Sequence, residues 1–177
     1  MSDTPQHHRI TIEPVVAAFT PYAMSLISND MFLMASGYHH SSKISLAQHY
    51  LFCASVEIAL KAAILADDCT KERKAEIKQM NHNLERVLNR FQLLYGELFS
   101  EVEITTLKQI NKYYQNKGLE YFTIDMMGTA LRGYKDVPDL ISIKLLATTA
   151  NNFIVNNKLF INAKTSEKAG GGIINLV

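Results

Sequence analysis

Residues 45–66 read SLAQHYLFCASVEIALKAAILA. This run is apolar on nearly every side of a helix, yet it carries Glu57 and Lys61 one turn apart. A helix that is apolar all round belongs inside a domain rather than on its surface. A carboxylate and an ammonium are tolerated in such a place when they pair with each other or serve a site. The run therefore predicts a central buried helix with a polar pair in it.

The composition is that of an ordinary globular protein. The chain has 177 residues, of which 47% are hydrophobic and 20% charged, enough for one domain with a single core. A net charge of +1 gives no bulk attraction to nucleic acid or to an anionic membrane, so either would need a local basic patch. Only two cysteines occur, and we expect Cys53, inside the apolar run, to be a small buried thiol.

Neither a signal peptide nor a membrane span is predicted. The first ten residues, MSDTPQHHRI, lack the basic start and the apolar stretch of a signal peptide. Glu57 and Lys61 interrupt the best apolar candidate before it reaches the roughly 18 apolar residues of a span. We expect a cytoplasmic protein without a membrane partner.

Amphipathic helices are predicted on both sides of the central run. A first helix begins near Pro14 and kinks or restarts at Pro21, and Ser41 or Ser42 caps the central helix. The charged stretch 71–79 fits a short helix or a loop equally well. Residues 84–95 have apolar side chains at i, i+3, i+4 and i+7, with Asn81 or Asn83 as the cap and Gly96 at the end.

Two further helices complete the predicted fold. One covers residues 101–115 with Val102, Leu107, Ile110 and Tyr114 on its inner side, and the last runs from residues 136–139 to 156 with Pro138 in its first turn. Residues 120–134 lose the helical period, which predicts a short extended or hairpin segment. The pattern predicts an all-α, antiparallel up-and-down bundle of four to five main helices, one domain over residues 1–160. Residues 1–11 and the tail 161–177 are expected to be flexible.

The polar residues of the predicted core leave two functions open. Glu57 and Lys61, at i and i+4, form either an ion pair that fixes the central helix or the lining of a polar pocket. His82, at the start of a helix, either hydrogen-bonds locally or acts as a general acid or base. His49 precedes Glu57 by two turns, but the helical period does not put it beside the carboxylate.

No cofactor or metal ion is predicted. The chain has no phosphate-binding glycine loop, no nucleophile elbow and no dinucleotide fingerprint. His39 and His40 are adjacent in a connection, and no cysteine or histidine pair has the spacing of a closed zinc site.

Three segments occur in an order typical of a known family. They are residues 55–62 (SVEIALKA), then His82-Asn83-Leu84, then residues 118–122 (GLEYF). The set resembles the HEPN superfamily, whose members often read E-L-x-L-K-A, then H-D/N-L, then an R-Y-P-like element. The resemblance covers roughly residues 20–157. It implies an antiparallel helical bundle, a homodimer, and either metal-independent ribonuclease activity in toxin–antitoxin or defence systems or nucleotide or RNA binding without cleavage.

The ribonuclease signature of that family is missing. Its catalytic members carry an arginine, four to six residues, and then a histidine, and no pair in this chain has that spacing. The R-Y-P-like element is also altered, with Glu120 in place of the arginine and Phe122 in place of the proline. Both departures argue against cleavage by the family's usual mechanism.

The sequence therefore predicts a non-catalytic HEPN-like binding or regulatory module that is a homodimer and binds a nucleotide or RNA. Its predicted polar kernel, the ligand-binding candidates taken together, comprises Glu57, Lys61, His82, Asn83 and Tyr121. One alternative is a divergent ribonuclease that uses His82 or His49 with Arg86 or Arg132. Another is a structural subunit whose partner is a protein, such as an antitoxin or a nucleotidyltransferase.

Overall fold

The secondary structure is entirely helical wherever the structure describes the chain. A computed structural model describes residues 20–38, 45–119 and 136–157, and it has no strand in these ranges. The prediction of an all-α fold is confirmed. Six helices are present: α1 Pro21–Gly37, α2 Leu46–Asp67, α3 Lys71–Gln79, α4 Leu84–Tyr95, α5 Glu101–Tyr114 and α6 Leu140–Asn156.

Several predictions fall on residues outside the described ranges. These are the helix start near Pro14, the extended segment at 120–134, and the flexible ends at 1–11 and 161–177. They stay predictions. The prediction that Ser41 or Ser42 caps the central helix is wrong, because α2 begins at Leu46 and the Ser45 side chain caps it. The charged stretch for which a helix and a loop were both open is the short helix α3.

The central helix α2 forms the core of the fold. Sixteen of its 22 residues are buried, and it contacts each of the other five helices. This confirms the prediction from its apolar sequence. By length and composition α2 would also be able to cross a membrane, but 83% of its most apolar window is buried inside the protein. A core helix shows the same pattern, so the apolar length of α2 is accounted for by packing.

Each helix begins at a side chain that caps it. In every case a hydroxyl, amide or carboxylate oxygen accepts a hydrogen bond from the backbone N–H three residues on. The caps are Thr20, Ser45, Thr70, Asn83, Ser100 and Asp139. Asn83, rather than Asn81, therefore caps α4, and Gly96 ends it as predicted. Pro138 lies before the Asp139 cap, so the prediction that placed it in the first turn is wrong by two residues.

The inner face of α5 differs from the predicted one at its start. Leu107, Ile110 and Tyr114 are buried, as their spacing predicts. Val102 is 72% exposed, so its assignment to the same face is wrong. The helical period explains this difference, because five residues separate Val102 from Leu107 and five residues exceed one turn of 3.6 by about half a turn. The buried residue of that first turn is instead Glu103, which closes a capping box with Ser100.

A buried hydrogen-bond cluster joins α1, α2 and α6. Ser28 donates to the Asn151 side-chain oxygen at 2.9 Å, and Ser55 donates to the Ser28 carbonyl oxygen at 2.9 Å. The Asn151 amide in turn donates to Ser55 Oγ at 2.8 Å. All three side chains are buried. Because each polar group has a partner, the cluster fixes the three helices against one another without leaving an unsatisfied group.

Candidate functional site

The Glu57 carboxylate is the centre of a buried cluster of polar side chains. Its Oε1 accepts a hydrogen bond from Lys61 Nζ at 2.5 Å. Its Oε2 accepts one from the Tyr114 hydroxyl at 2.6 Å and lies 3.1 Å from His82 Nδ1. A carboxylate only accepts, so this contact assigns a proton to Nδ1. We call these four residues, Glu57, Lys61, His82 and Tyr114, the Glu57 cluster.

Lys61 extends the cluster to the turn between α3 and α4. Its ammonium donates a second hydrogen bond to the Asn81 carbonyl oxygen at 2.6 Å. Asn81 has a φ of 49°, in the left-handed region that asparagine tolerates better than most residues. The lysine therefore holds the turn that presents His82 to Glu57. Both members of the predicted ion pair thus have protein partners.

Three members of the Glu57 cluster are sealed from solvent. Glu57 is 5% exposed, Lys61 8% and Tyr114 2%. The His82 side chain is 43% exposed, and its ring lies edge-on to the Tyr114 ring with 5.8 Å between centroids. His82 is thus the member through which the cluster reaches the surface.

The Tyr114 hydroxyl is held in its protonated form. Burial raises the pKa of Tyr114 far above its ordinary value, and the Glu57 charge and hydrogen bond raise it further. The group therefore acts as a hydrogen-bond donor to the carboxylate, which needs one. Burial, reinforced by the Glu57 charge, also raises the pKa of Cys53, so this thiol is not an activated nucleophile.

Asn83, a further residue of the predicted kernel, has partners outside the Glu57 cluster. The Asn83 oxygen caps α4 through the Arg86 N–H at 3.0 Å, and its amide donates to Gln115 at 2.9 Å. Asn83 is therefore a helix cap, and its predicted role in ligand binding stays a prediction. Tyr121 lies outside the described ranges, so its place in the predicted kernel is untested.

His49 has a separate and fully buried position. Its Nδ1 lies 2.7 Å from the Ser45 carbonyl oxygen and its Nε2 lies 3.0 Å from the Pro138 carbonyl oxygen. The ring therefore links the start of α2 to the segment that enters α6. A fully buried side chain with both nitrogens engaged is not available to a substrate.

Two residues that organise this region, Tyr114 and Asn111, are not among the predicted site residues. The helical spacing predicts that Tyr114 lies on the inner face of α5, but it does not predict the contact with Glu57. Asn111, which is 2% exposed, accepts a hydrogen bond from the Leu84 N–H at 2.8 Å and donates to Glu85 at 3.0 Å. Tyr114 and Asn111 each place a polar group on the buried face of α5, and a buried polar group needs a hydrogen-bond partner. That feature of the sequence could have identified both.

Two surface grooves lie along α4, and neither is lined by a member of the Glu57 cluster. The first, of about 440 Å³, is lined by Asn89, Gln92, Leu93, Gly96 and Glu97. The second, which we call the α3–α4 groove, has a volume of about 290 Å³ and is lined by Glu76, Gln79, Met80, Arg86, Arg90 and Leu93. Within the described ranges, no group of three histidine, cysteine, aspartate or glutamate side chains is placed to hold a metal ion.

Comparisons of the chain with protein-family models, curated proteins and solved structures found no match. The likeness to the HEPN superfamily therefore rests on the three sequence segments.

Replacing Lys61 tests the structural role of the ion pair. Lys61→Met keeps most of the side-chain length but leaves the Glu57 carboxylate buried without its counter-charge. We expect the free energy of unfolding, measured by urea denaturation, to fall by about 3–5 kcal/mol. The matched control is Lys108→Met on the exposed side of α5, for which a change within about 0.5 kcal/mol is expected. Equal effects of the two substitutions would contradict a structural ion pair.

Proposed function

We propose that this chain is a non-catalytic, HEPN-like binding module of the cytoplasm whose ligand is a nucleotide or RNA. In this proposal its helices form an antiparallel up-and-down bundle, and the Glu57 cluster belongs to the scaffold rather than to a reaction centre. The resemblance of the three sequence segments supplies the family. The contacts of the described residues supply the argument against catalysis.

The observation that carries the proposal is that both oxygens of Glu57 are occupied by protein donors. Lys61 and Tyr114 each hold one oxygen at 2.5–2.6 Å, and all three residues are buried. A general base needs to reach the proton that it removes, and a phosphate-binding lysine needs a free ammonium. Neither condition holds for Glu57 or Lys61, which supports a structural pair and leaves ligand binding to another surface.

One observation favours the second candidate, a divergent ribonuclease. The buried Glu57 carboxylate holds His82 through Nδ1, and Nε2 forms no hydrogen bond with any residue in the described ranges. A carboxylate behind a half-exposed imidazole is the arrangement that orients a histidine for acid–base work. Arg86 follows His82 by four residues, whereas the family's catalytic arginine precedes the histidine. The proposal therefore treats His82 as a structural residue.

An RNA assay separates the two candidates. We expect the purified chain to bind labelled single-stranded RNA and leave it intact in the presence of a metal chelator, because no arginine has the family's catalytic spacing before His82. His82→Ala should leave both results unchanged. Cleavage by the wild-type chain that disappears in His82→Ala would support the ribonuclease and refute the proposal. Absence of any RNA or nucleotide binding would refute the proposed ligand.

The proposed partner is a second copy of the chain, and the outer face of α1 supports it. Four exposed side chains on this helix are large and apolar: Leu26, Ile27, Leu33 and Met34. The helix has a single charged residue, the exposed Asp30, which lies three or four residues from each of these four side chains and therefore among them; the face is otherwise apolar. Interfaces between identical subunits are more apolar than other protein surfaces. The face therefore suits a homodimer.

A charge placed on α1 tests this interface. We expect sedimentation equilibrium to give the mass of a dimer for the wild-type chain and of a monomer for Leu33→Glu, because the new carboxylate would be desolvated between the subunits. Val102→Glu, at an exposed apolar position on α5, is the matched control and should remain a dimer. A monomeric wild-type chain, or a dimeric Leu33→Glu variant, would exclude the α1 interface.

A further inference from the structure

The α3–α4 groove contains two arginines whose charges are not fully used by the protein. Arg86 and Arg90 lie one turn apart on α4 and both line the groove. The exposed guanidinium of Arg86 forms no ion pair with any residue that the structure describes. Side chains at this spacing are neighbours on a helix surface, and two like charges there are mutually unfavourable unless an anion lies close to both.

Glu76 neutralises this pair only in part. Its Oε2 accepts a hydrogen bond from Arg73 at 2.7 Å, and the Arg73 side chain is 12% exposed. Its Oε1 lies 2.8 Å from Arg90 Nε, but this buried N–H makes no hydrogen bond within the described part of the chain. One carboxylate is therefore shared between two arginines. Arg73 does not line the groove and also lies 3.7 Å from Asp67, so Glu76 is the carboxylate among the lining residues beside Arg86 and Arg90.

The lining and the volume of the groove limit the size of the anionic ligand that it can bind. Gln79 adds an amide to the lining, and Met80 and Leu93 add apolar surface. Leu93 is 78% exposed. A volume of about 290 Å³ lies at the lower limit of small-molecule sites, which run from about 300 to 1,000 Å³. One phosphate group with a sugar or a single ring fits this space. A larger ligand would extend beyond it.

We infer that the α3–α4 groove binds the phosphate group of a mononucleotide, with Arg86 and Arg90 as its phosphate ligands. Arginine presents a planar set of donors that matches phosphate oxygens in pairs, which a lysine does not. Leu93 offers an apolar surface to the nucleoside. The choice of a nucleotide over other phosphate compounds rests on the proposed function, whereas the phosphate site rests on the groove itself.

Calorimetric titration of the full chain tests the inference with three probes: adenosine 5′-monophosphate, adenosine and inorganic phosphate. We expect the nucleotide to bind at least about tenfold more tightly than adenosine, with an affinity that falls as salt is added. Arg86→Ala and Arg90→Ala should each weaken nucleotide binding about tenfold or more. Arg86→Lys should restore only part of the loss, because it keeps the charge but not the paired donors.

The control is Lys108→Ala, which removes an exposed positive charge from α5 and should change the affinity less than about twofold. Arg90→Ala removes the contact with Glu76 and could unfold the chain. Arg86 is exposed and makes no ion pair with the described residues, so Arg86→Ala tests the groove in a folded chain. Nucleotide binding that survives Arg86→Ala unchanged would overturn the groove but leave the proposed function in place. Arginine-dependent binding of inorganic phosphate, without affinity for nucleotide or RNA, would support the phosphate site and overturn the proposed function.

Discussion

A carboxylate buried in the middle of the core helix is the constraint on which the arrangement of α2, α4 and α5 depends. Taking an ionised carboxylate out of water costs several kcal/mol unless donors replace the water. Glu57 finds those donors in three places: Lys61 on its own helix, His82 in the turn before α4, and Tyr114 near the end of α5. Any shift of one helix along another would leave the carboxylate short of a donor. The cluster therefore sets the register of these elements.

This constraint separates the residues that hold the fold together from those that we propose bind a ligand. Residues that look catalytic in the sequence, a glutamate, a lysine and a histidine, are drawn together because the core needs them. Glu57 and Lys61 are buried and engaged by protein groups, whereas the half-exposed His82 contacts Glu57 through Nδ1 alone. Positive charge lies on the surface of α4, where Arg86 is exposed without an ion pair to any described residue and Arg90 shares the Glu76 carboxylate with Arg73. The Glu57 cluster is thus mostly buried, whereas the proposed ligand site lies at the surface.

Local patterns in the sequence predicted more of this structure than long-range contacts did. The apolar run of α2, the Glu57–Lys61 pair, the Asn83 cap and the Gly96 stop all depend on neighbours within a few residues, and all are present. Tyr114 was recognised as buried but not as the partner of Glu57. Their 57-residue separation explains this, because pairing at that distance depends on how helices pack rather than on helical spacing. Helical spacing and a family motif both identify polar residues such as Glu57 and Lys61, but neither distinguishes a buried polar group from an accessible one.

The most direct test of the Glu57 cluster is the coupling energy between Glu57 and Tyr114. A double-mutant cycle of Glu57→Gln and Tyr114→Phe, followed by urea denaturation, isolates their interaction from the loss caused by each change alone. The described contacts predict a coupling of about 1–3 kcal/mol. A second cycle, of Glu57→Gln with Tyr95→Phe, serves as control. The Tyr95 hydroxyl binds the Ala63 carbonyl oxygen on α2, the helix that carries Glu57, but does not contact Glu57, so the two effects should be additive. Additive losses, within about 0.5 kcal/mol, for Glu57 and Tyr114 would contradict the account.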